Sequence, residues 1–179
     1  SQNIGYVDGV GVLLGLWKKG VFQKRRLPGF KLWLEVIKSN PKAGFYLIGG
    51  SQDVIDETIV RLKCDFGNID IKGYSDGYTV YERLNEIKRE INDNKPRVIF
   101  VAMGSPRQEK MMKELHDSYE ASYIGLGGSF DYYIGKVHRT PEWIQRIGFQ
   151  WFHRAIMEPK RFRRQRVLVK YFLNLLLKY

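Results

Sequence analysis

A single cysteine, Cys64, stands in 179 residues. It closes no internal disulfide and builds no thiolate cluster, which points to a reducing, cytoplasmic compartment; its expected place is a small core or strand-end position. The three histidines, His116, His138 and His153, are scattered, and no DxD pair is present. That pattern offers no evident metal site, so neither metal nor cofactor is expected. There is no P-loop and no GxGxxG with an acidic ribose partner, which puts a nicotinamide oxidoreductase last among the readings. The first eleven residues have neither the basic start nor the apolar core of a signal peptide. Acid is the scarcer charge, 19 Asp and Glu against 30 Lys and Arg, for a formal net charge of +11. Such a balance calls for anionic partners: nucleic acid, acidic lipid or nucleotide phosphates.

Most of that charge sits at one end. From Arg154 to Tyr179 there are eight Lys or Arg against the single Glu158, +7 of the total. Read as one helix, Arg163, Arg166, Lys170, Asn174 and Lys178 make a polar stripe, and Phe162, Val167, Leu168, Tyr171, Phe172, Leu175 and their neighbours cover the rest. The apolar run Val167–Leu177 is broken by Lys170 and Asn174 and falls short of the roughly 20 residues a membrane span needs. A helix lying in the membrane interface, held to an anionic surface through residues 160–179, fits better. Its apolar surface leaves a homo-oligomer open.

Upstream, short apolar segments alternate with segments of helical spacing. Leu32 to Ile37 predicts a helix ending near Asn40-Pro41. Strands are predicted at Gly44–Ile48, Ile69–Lys72, Arg97–Ala102 and Tyr123–Leu126, and helices over Asp53–Lys63, Val80–Asn92 and from Pro106 onward. The pattern predicts an α/β fold: a single Rossmann-like domain over residues 1–140, its mostly parallel sheet flanked by helices. Residues 141–179 form a basic, amphipathic helical appendage.

In such a sheet the C-terminal strand ends share one edge, where ligands bind. Four turns are expected there: Asp8-Gly9, Gly49-Gly50-Ser51, Gly104-Ser105-Pro106 and Gly127-Gly128-Ser129. Glycine lets a phosphate or sugar approach backbone N–H groups at a helix start, so four such turns together favour a nucleotide or nucleotide-sugar site over simple tight turns. Asp8 is a candidate general base and equally a helix cap. Arg154, Arg161 and Arg164 fall on one face of a helix that continues through Pro159, either to meet phosphate oxygens or to face lipid headgroups. Tyr74, Tyr78 and Asp131 are polar groups beside glycine turns, placed to grip a base or sugar or to make ordinary loop hydrogen bonds. Gln108 and Glu109 lie in a first helical turn.

Motifs in order along nearly the whole chain then carry a resemblance. They are Asp8-Gly9-x-Gly11, Arg26 with Pro28-Gly29, Gly49-Gly50, Gly73 to Tyr78, Gly104-Ser105-Pro106-Arg107-Gln108-Glu109, Gly127-Gly128-x-Phe130-Asp131, Arg139-x-Pro141-x-Trp143, Trp151-x-x-Arg154 and Glu158-Pro159-x-Arg161. With these the chain resembles the bacterial glycosyltransferases of the WecG/TagA/CpsF family. The resemblance implies a metal-independent, inverting transfer from a UDP-sugar donor to a polyprenyl-diphosphate-linked sugar acceptor, by a peripheral protein at the cytoplasmic face of the membrane. It makes Asp8 the base and Arg154, Arg161 and Arg164 the cations that stabilise departing UDP. It makes Arg26 and Gln108 pocket residues, and with them Gly49, Gly50, Tyr78, Gly104, Gly128 and Asp131 belong to the substrate site. It also implies about fifty residues ahead of the Asp-Gly motif, a domain-sized share of chain, with a Thr-x-Asn stretch in the pocket wall. The catalytic domain is therefore expected to be missing its N-terminal part here. The competing reading is a basic nucleic-acid- or membrane-binding module without catalysis, supported by the aromatics interleaved with cations at Phe162, Tyr171 and Phe172.

Overall fold

The computed structural model describes residues 20–21 and 29–137. Gly29–His138 is one compact unit; of the other, Ser1–Pro28 with Arg139–Tyr179, only Gly20 and Val21 are described. The expected helix start at Asp8 and the helical appendage over 141–179 lie outside the described residues.

The described unit runs α1 (Gly29–Ser39), β1 (Phe45–Gly49), α2 (Gln52–Phe66), β2 (Ile71–Ser75), α3 (Leu84–Asn94), β3 (Val98–Ala102), α4 (Arg107–His116), β4 (Ser122–Gly125) and α5 (Ser129–Tyr133). Its four strands form one parallel sheet in the order β2-β1-β3-β4. The α/β, mostly parallel expectation is met. Parallel neighbours need crossover connections, and the helices between strands supply them.

Alternation along the central strands divides the core in two. Phe45 and Leu47 of β1, with Phe100 and Ala102 of β3, face Trp33 and Ile37 of α1, Val54, Ile55, Ile59 and Leu62 of α2, and Phe130 of α5. Tyr46 and Ile48, with Ile99 and Val101, face Ile87 and Ile91 of α3 and Met111 and Leu115 of α4. All five β1 residues are buried, as are four of five in β3, which is why both read as continuous apolar runs. Each fully buried Ile, Leu or Phe adds roughly 1.5–3 kcal/mol of transfer free energy. On the first face the aromatics interlock: Phe100 stacks on Phe45 with centroids 5.6 Å apart and meets Trp33 edge-on at 5.7 Å.

Two boundaries and the place of one side chain depart from the sequence expectation for reasons the structure shows. β2 was expected over Ile69–Lys72 but occupies Ile71–Ser75, because Gly73, Tyr74 and Ser75 pair with Tyr46, Leu47 and Ile48 of β1. A turn-forming sequence is thus overridden by pairing, and Gly73 is what the register needs: a Cβ there would lie 2.5 Å from the Tyr46 ring. α3 starts at Leu84 rather than Val80, since the intervening residues turn on the Thr79 carbonyl, which accepts from Glu82 N–H at 2.9 Å and Arg83 N–H at 3.3 Å, while Thr79 itself is tied to Asp76. Cys64, expected in the core or at a strand end, is exposed on α2, on the side away from Leu62 and Ile59.

Candidate active site

The direction of the chain reverses between β1 and β3. From β1 the chain crosses by α2 to β2 on one side; from β3 it crosses by α4 to β4 on the other. This is a topological switch point, and the crevice outside the strand C-termini there is where open α/β sheets bind ligands. The turns after all four strands gather at that edge.

The first turn leaves β1 at Gly49 and Gly50. Gly49 has φ +144, and a Cβ on it would lie 2.3 Å from the Ala102 carbonyl oxygen at the end of β3, so only glycine lets the two strand ends approach so closely. Gly50 N–H donates to that carbonyl at 3.3 Å. α2 then begins with an acid at its positive end: Asp53 accepts from the Ser51 hydroxyl and pairs with Lys136 Nζ at 2.5 Å. Lys136 first, then Ser51, holds the Asp53 carboxyl down to about 2.

The second turn, after β2, is built on Asp76, a carboxylate only 5% exposed. Its Oδ1 accepts from the backbone N–H groups of Tyr78 at 2.8 Å and Thr79 at 2.9 Å, and its Oδ2 from the Thr79 hydroxyl. Burial pushes this carboxyl up, but the bonds from Thr79 and Tyr78, with the nearby Arg83 charge, pull harder and leave it below its ordinary value. Gly77 N–H donates to the Gly50 carbonyl at 2.8 Å, joining the second turn to the first. Tyr78 at the tip is 69% exposed.

The third turn, after β3, contains a cis Ser105-Pro106 peptide and Gly104 at φ +71, whose carbonyl accepts from Gln108 N–H at 3.0 Å. Arg107, the first residue of α4, reaches the second turn: its Nη2 donates to the Gly77 carbonyl at 2.9 Å, and its guanidinium carbon lies 6.0 Å from the ring centres of both Tyr78 and Tyr81. Gln108 reaches the other way, its Oε1 accepting from Gly127 N–H at 2.8 Å in the fourth turn. Beyond Gly127, Gly128 caps α5, and Asp131 stands half-buried in that helix's first turn.

Of the residues predicted for the substrate site, Gly49, Gly50, Tyr78, Gly104, Gln108, Gly128 and Asp131 thus belong to four turns on one edge. Asp8, Arg26, Arg154, Arg161 and Arg164 lie outside the described residues. Asp76 and Arg107 stand inside the motifs that carry the resemblance, but neither is among the site residues expected from the sequence. Asp76 sits in an Asp-Gly pair that looks like any turn, and its signal was the pair's place directly after a strand. Arg107 looks like any arginine in a first helical turn. Among the described residues no cluster of three or more His, Cys, Asp or Glu is placed to hold a metal, and no helix is long and apolar enough to cross a membrane.

Two comparisons bear on this arrangement. The family model described as "Glycosyl transferase WecG/TagA/CpsF family" matches residues 1–179. Among characterised proteins, the N-acetylglucosaminyldiphosphoundecaprenol N-acetyl-beta-D-mannosaminyltransferase of Bacillus subtilis (strain 168) is 34% identical over 179 residues, covering 98% of this chain and 69% of the relative. With a match along its whole length and a parallel sheet that gathers its glycine turns at the switch point, the chain belongs to the WecG/TagA/CpsF family of glycosyltransferases.

Proposed function

We propose that this glycosyltransferase moves a hexose or N-acetylhexosamine, with N-acetylmannosamine the first choice, from a UDP-sugar to a polyprenyl-diphosphate-linked sugar. The product would serve cell-surface polysaccharide or teichoic acid synthesis. The observation that carries the reading is the convergence of the four glycine-bearing turns on the sheet's switch point in a member of this family. Backbone N–H groups and helix starts at such an edge suit a nucleotide diphosphate. The relative's name supplies the sugar, the diphospholipid acceptor and a β product. From an α-linked nucleotide sugar, a β product means inversion in one displacement.

In that displacement the acceptor hydroxyl attacks the anomeric carbon and gives its proton to Asp8. The bond between that carbon and the diphosphate oxygen breaks, its electron pair leaving with UDP. Negative charge grows on the leaving diphosphate, and Arg154, Arg161 and Arg164 are assigned to meet it with their fixed donor forks. Arg26 and Gln108 are assigned to the pocket, and Tyr78 and Asp131 to the donor. The tail over 160–179 would hold the protein peripherally on the anionic cytoplasmic face, next to its lipid-linked acceptor. Family membership favours catalysis over the basic binding module.

The test is UDP release from a panel of UDP-hexoses and UDP-N-acetylhexosamines in the presence of a polyprenyl-diphosphate N-acetylglucosamine acceptor. Acceptor-dependent release with UDP-N-acetylmannosamine is expected. Binding of nucleic acid without release from any donor would sink the reading.

A further inference from the structure

We propose that Arg107 is a positioning residue that clamps the turn after β2 and so fixes the plane of Tyr78 in the donor pocket. This rests on the reading above that the strand-end edge receives the nucleotide sugar.

The turn over residues 76–79 is secured at its base and free at its tip. Asp76 ties down the Tyr78 and Thr79 N–H groups, and Gly77 N–H is fixed to Gly50. Those bonds set the backbone but not the Tyr78 ring, which is largely exposed. Gly77 has no side chain to pack, and there is no room for one, since a Cβ there would lie 3.0 Å from Gly49 Cα. What reaches the tip from outside is Arg107. One side chain donates to the Gly77 carbonyl at 2.9 Å and sets its guanidinium beside the Tyr78 and Tyr81 rings, while the Tyr81 hydroxyl reaches back to the Arg107 carbonyl at 3.4 Å. The turns after β1, β2 and β3 are thereby linked in series: Ala102 to Gly50, Gly50 to Gly77, Gly77 to Arg107.

Arginine suits this work and lysine does not. The guanidinium is planar, so it donates in its plane to a carbonyl while offering its faces to aromatic rings; an ammonium is a compact point charge. If Arg107 acts by geometry, Arg107→Lys fails although the charge is kept. If it acts by charge on the donor diphosphate, Arg107→Lys works.

The experiment compares the full chain with Arg107→Lys and Arg107→Gln by backbone amide exchange, UDP binding and steady-state kinetics. In both variants the Gly77 carbonyl loses its charged donor, so the turn over residues 76–79 is expected to open more often, and exchange at the Tyr78 and Thr79 amides, which Asp76 holds only in the closed turn, to quicken about tenfold. Exchange at Ile99 to Val101 stays as in the wild type, which certifies the fold. UDP affinity is expected to weaken about tenfold in both, with kcat at saturating donor within about threefold of wild type, the mark of binding rather than transition-state loss. Unchanged exchange in Arg107→Gln overturns the clamp. So does a kcat lost in Arg107→Gln and restored in Arg107→Lys. A wild-type chain that fails to bind UDP overturns the donor reading instead, and the exchange result still decides the clamp.

Discussion

Gln108, in the first turn of α4, accepts the Gly127 N–H at 2.8 Å, so a side chain after β3 fastens the turn after β4. A Cβ on Gly125 would lie 2.7 Å from the same side chain's amide nitrogen, so the glycine leaves the space through which Gln108 reaches across. Gln108, assigned to the donor pocket in the proposed function, has a structural partner in Gly127.

Gln108→Ala strands the Gly127 N–H and opens a gap beside Gly125. A loss of about 1 kcal/mol in stability is expected, the usual worth of one hydrogen bond, together with a higher donor KM. Gln108→Glu keeps an acceptor for Gly127 but sets a second carboxylate against Glu109, which the Gln108 amide now meets at 3.0 Å; with that exposed repulsion screened at high salt it should retain most of the stability. Urea midpoints of the two variants check this, and equal losses in both would refute the role of the bond.

Gly49→Ala is expected to be the most disruptive single methyl at the edge. Its Cβ would meet the Ala102 carbonyl, a backbone atom that cannot swing aside, at a φ that L side chains rarely adopt. Overpacking alone costs about 1–3 kcal/mol, and the backbone strain adds to it. Denaturant unfolding measures the sum, and a variant as stable as wild type would contradict the close approach of β1 and β3.

Asp76 makes stability depend on pH with a definite sign. Its folded-state pKa is lowered, the upward push of burial being outweighed by its bonds from Thr79 and Tyr78. Its contribution is therefore fully present above the ordinary carboxylate pKa of about 4 and is lost as pH falls through the depressed value. Asp76→Asn should be less stable than wild type at neutral pH by about 1–3 kcal/mol, the cost of disturbing charged hydrogen bonds. Its acid limb should also be flatter. Thermal melts of both proteins across the acid range would show the two curves converging as pH falls; parallel curves would remove Asp76 from the account.

Asp8→Asn keeps size and capping ability but cannot take a proton. Loss of kcat by about 10²- to 10⁴-fold is expected for a missing general base, with UDP affinity unchanged. Full turnover in that variant would take the base assignment away from Asp8.

What was legible in the chain beforehand follows from how local each signal is. β1 and β3 are continuous apolar runs because both their faces are covered, and such runs can be read without knowing what covers them. β2 reads short in the sequence because Gly73-Tyr74-Ser75 spells a turn by itself and becomes a strand only beside Tyr46. The start of α3 depended on Asp76 reaching forward to Thr79, a choice of partner that spacing does not reveal. At the edge, the glycines at 49–50, 104 and 127–128 mark the turns after β1, β3 and β4; the turn on Asp76 after β2 is not among the four expected, and Asp8-Gly9 lies outside the described residues. The cross-links between turns, Gln108 to Gly127 and Arg107 to Gly77, join residues 19 and 30 positions apart and arise only once the sheet has ordered its strands.

The odd and even residues of β1 serve different cores, Phe45 and Leu47 one, Tyr46 and Ile48 the other, and the strand ends on the one residue that tolerates Ala102. Inserting or deleting a single residue within β1 would exchange the two sets, since a one-residue slip turns every side chain over. Tyr46 would leave Glu90, whose carboxylate it now meets at 2.6 Å, and a side chain would replace Gly49 against β3. The length of this strand is therefore far less free to change than its composition. Among natural variants of the chain, insertions and deletions should spare residues 45–49 and collect in segments such as the α4–β4 connection, where no strand parity is at stake.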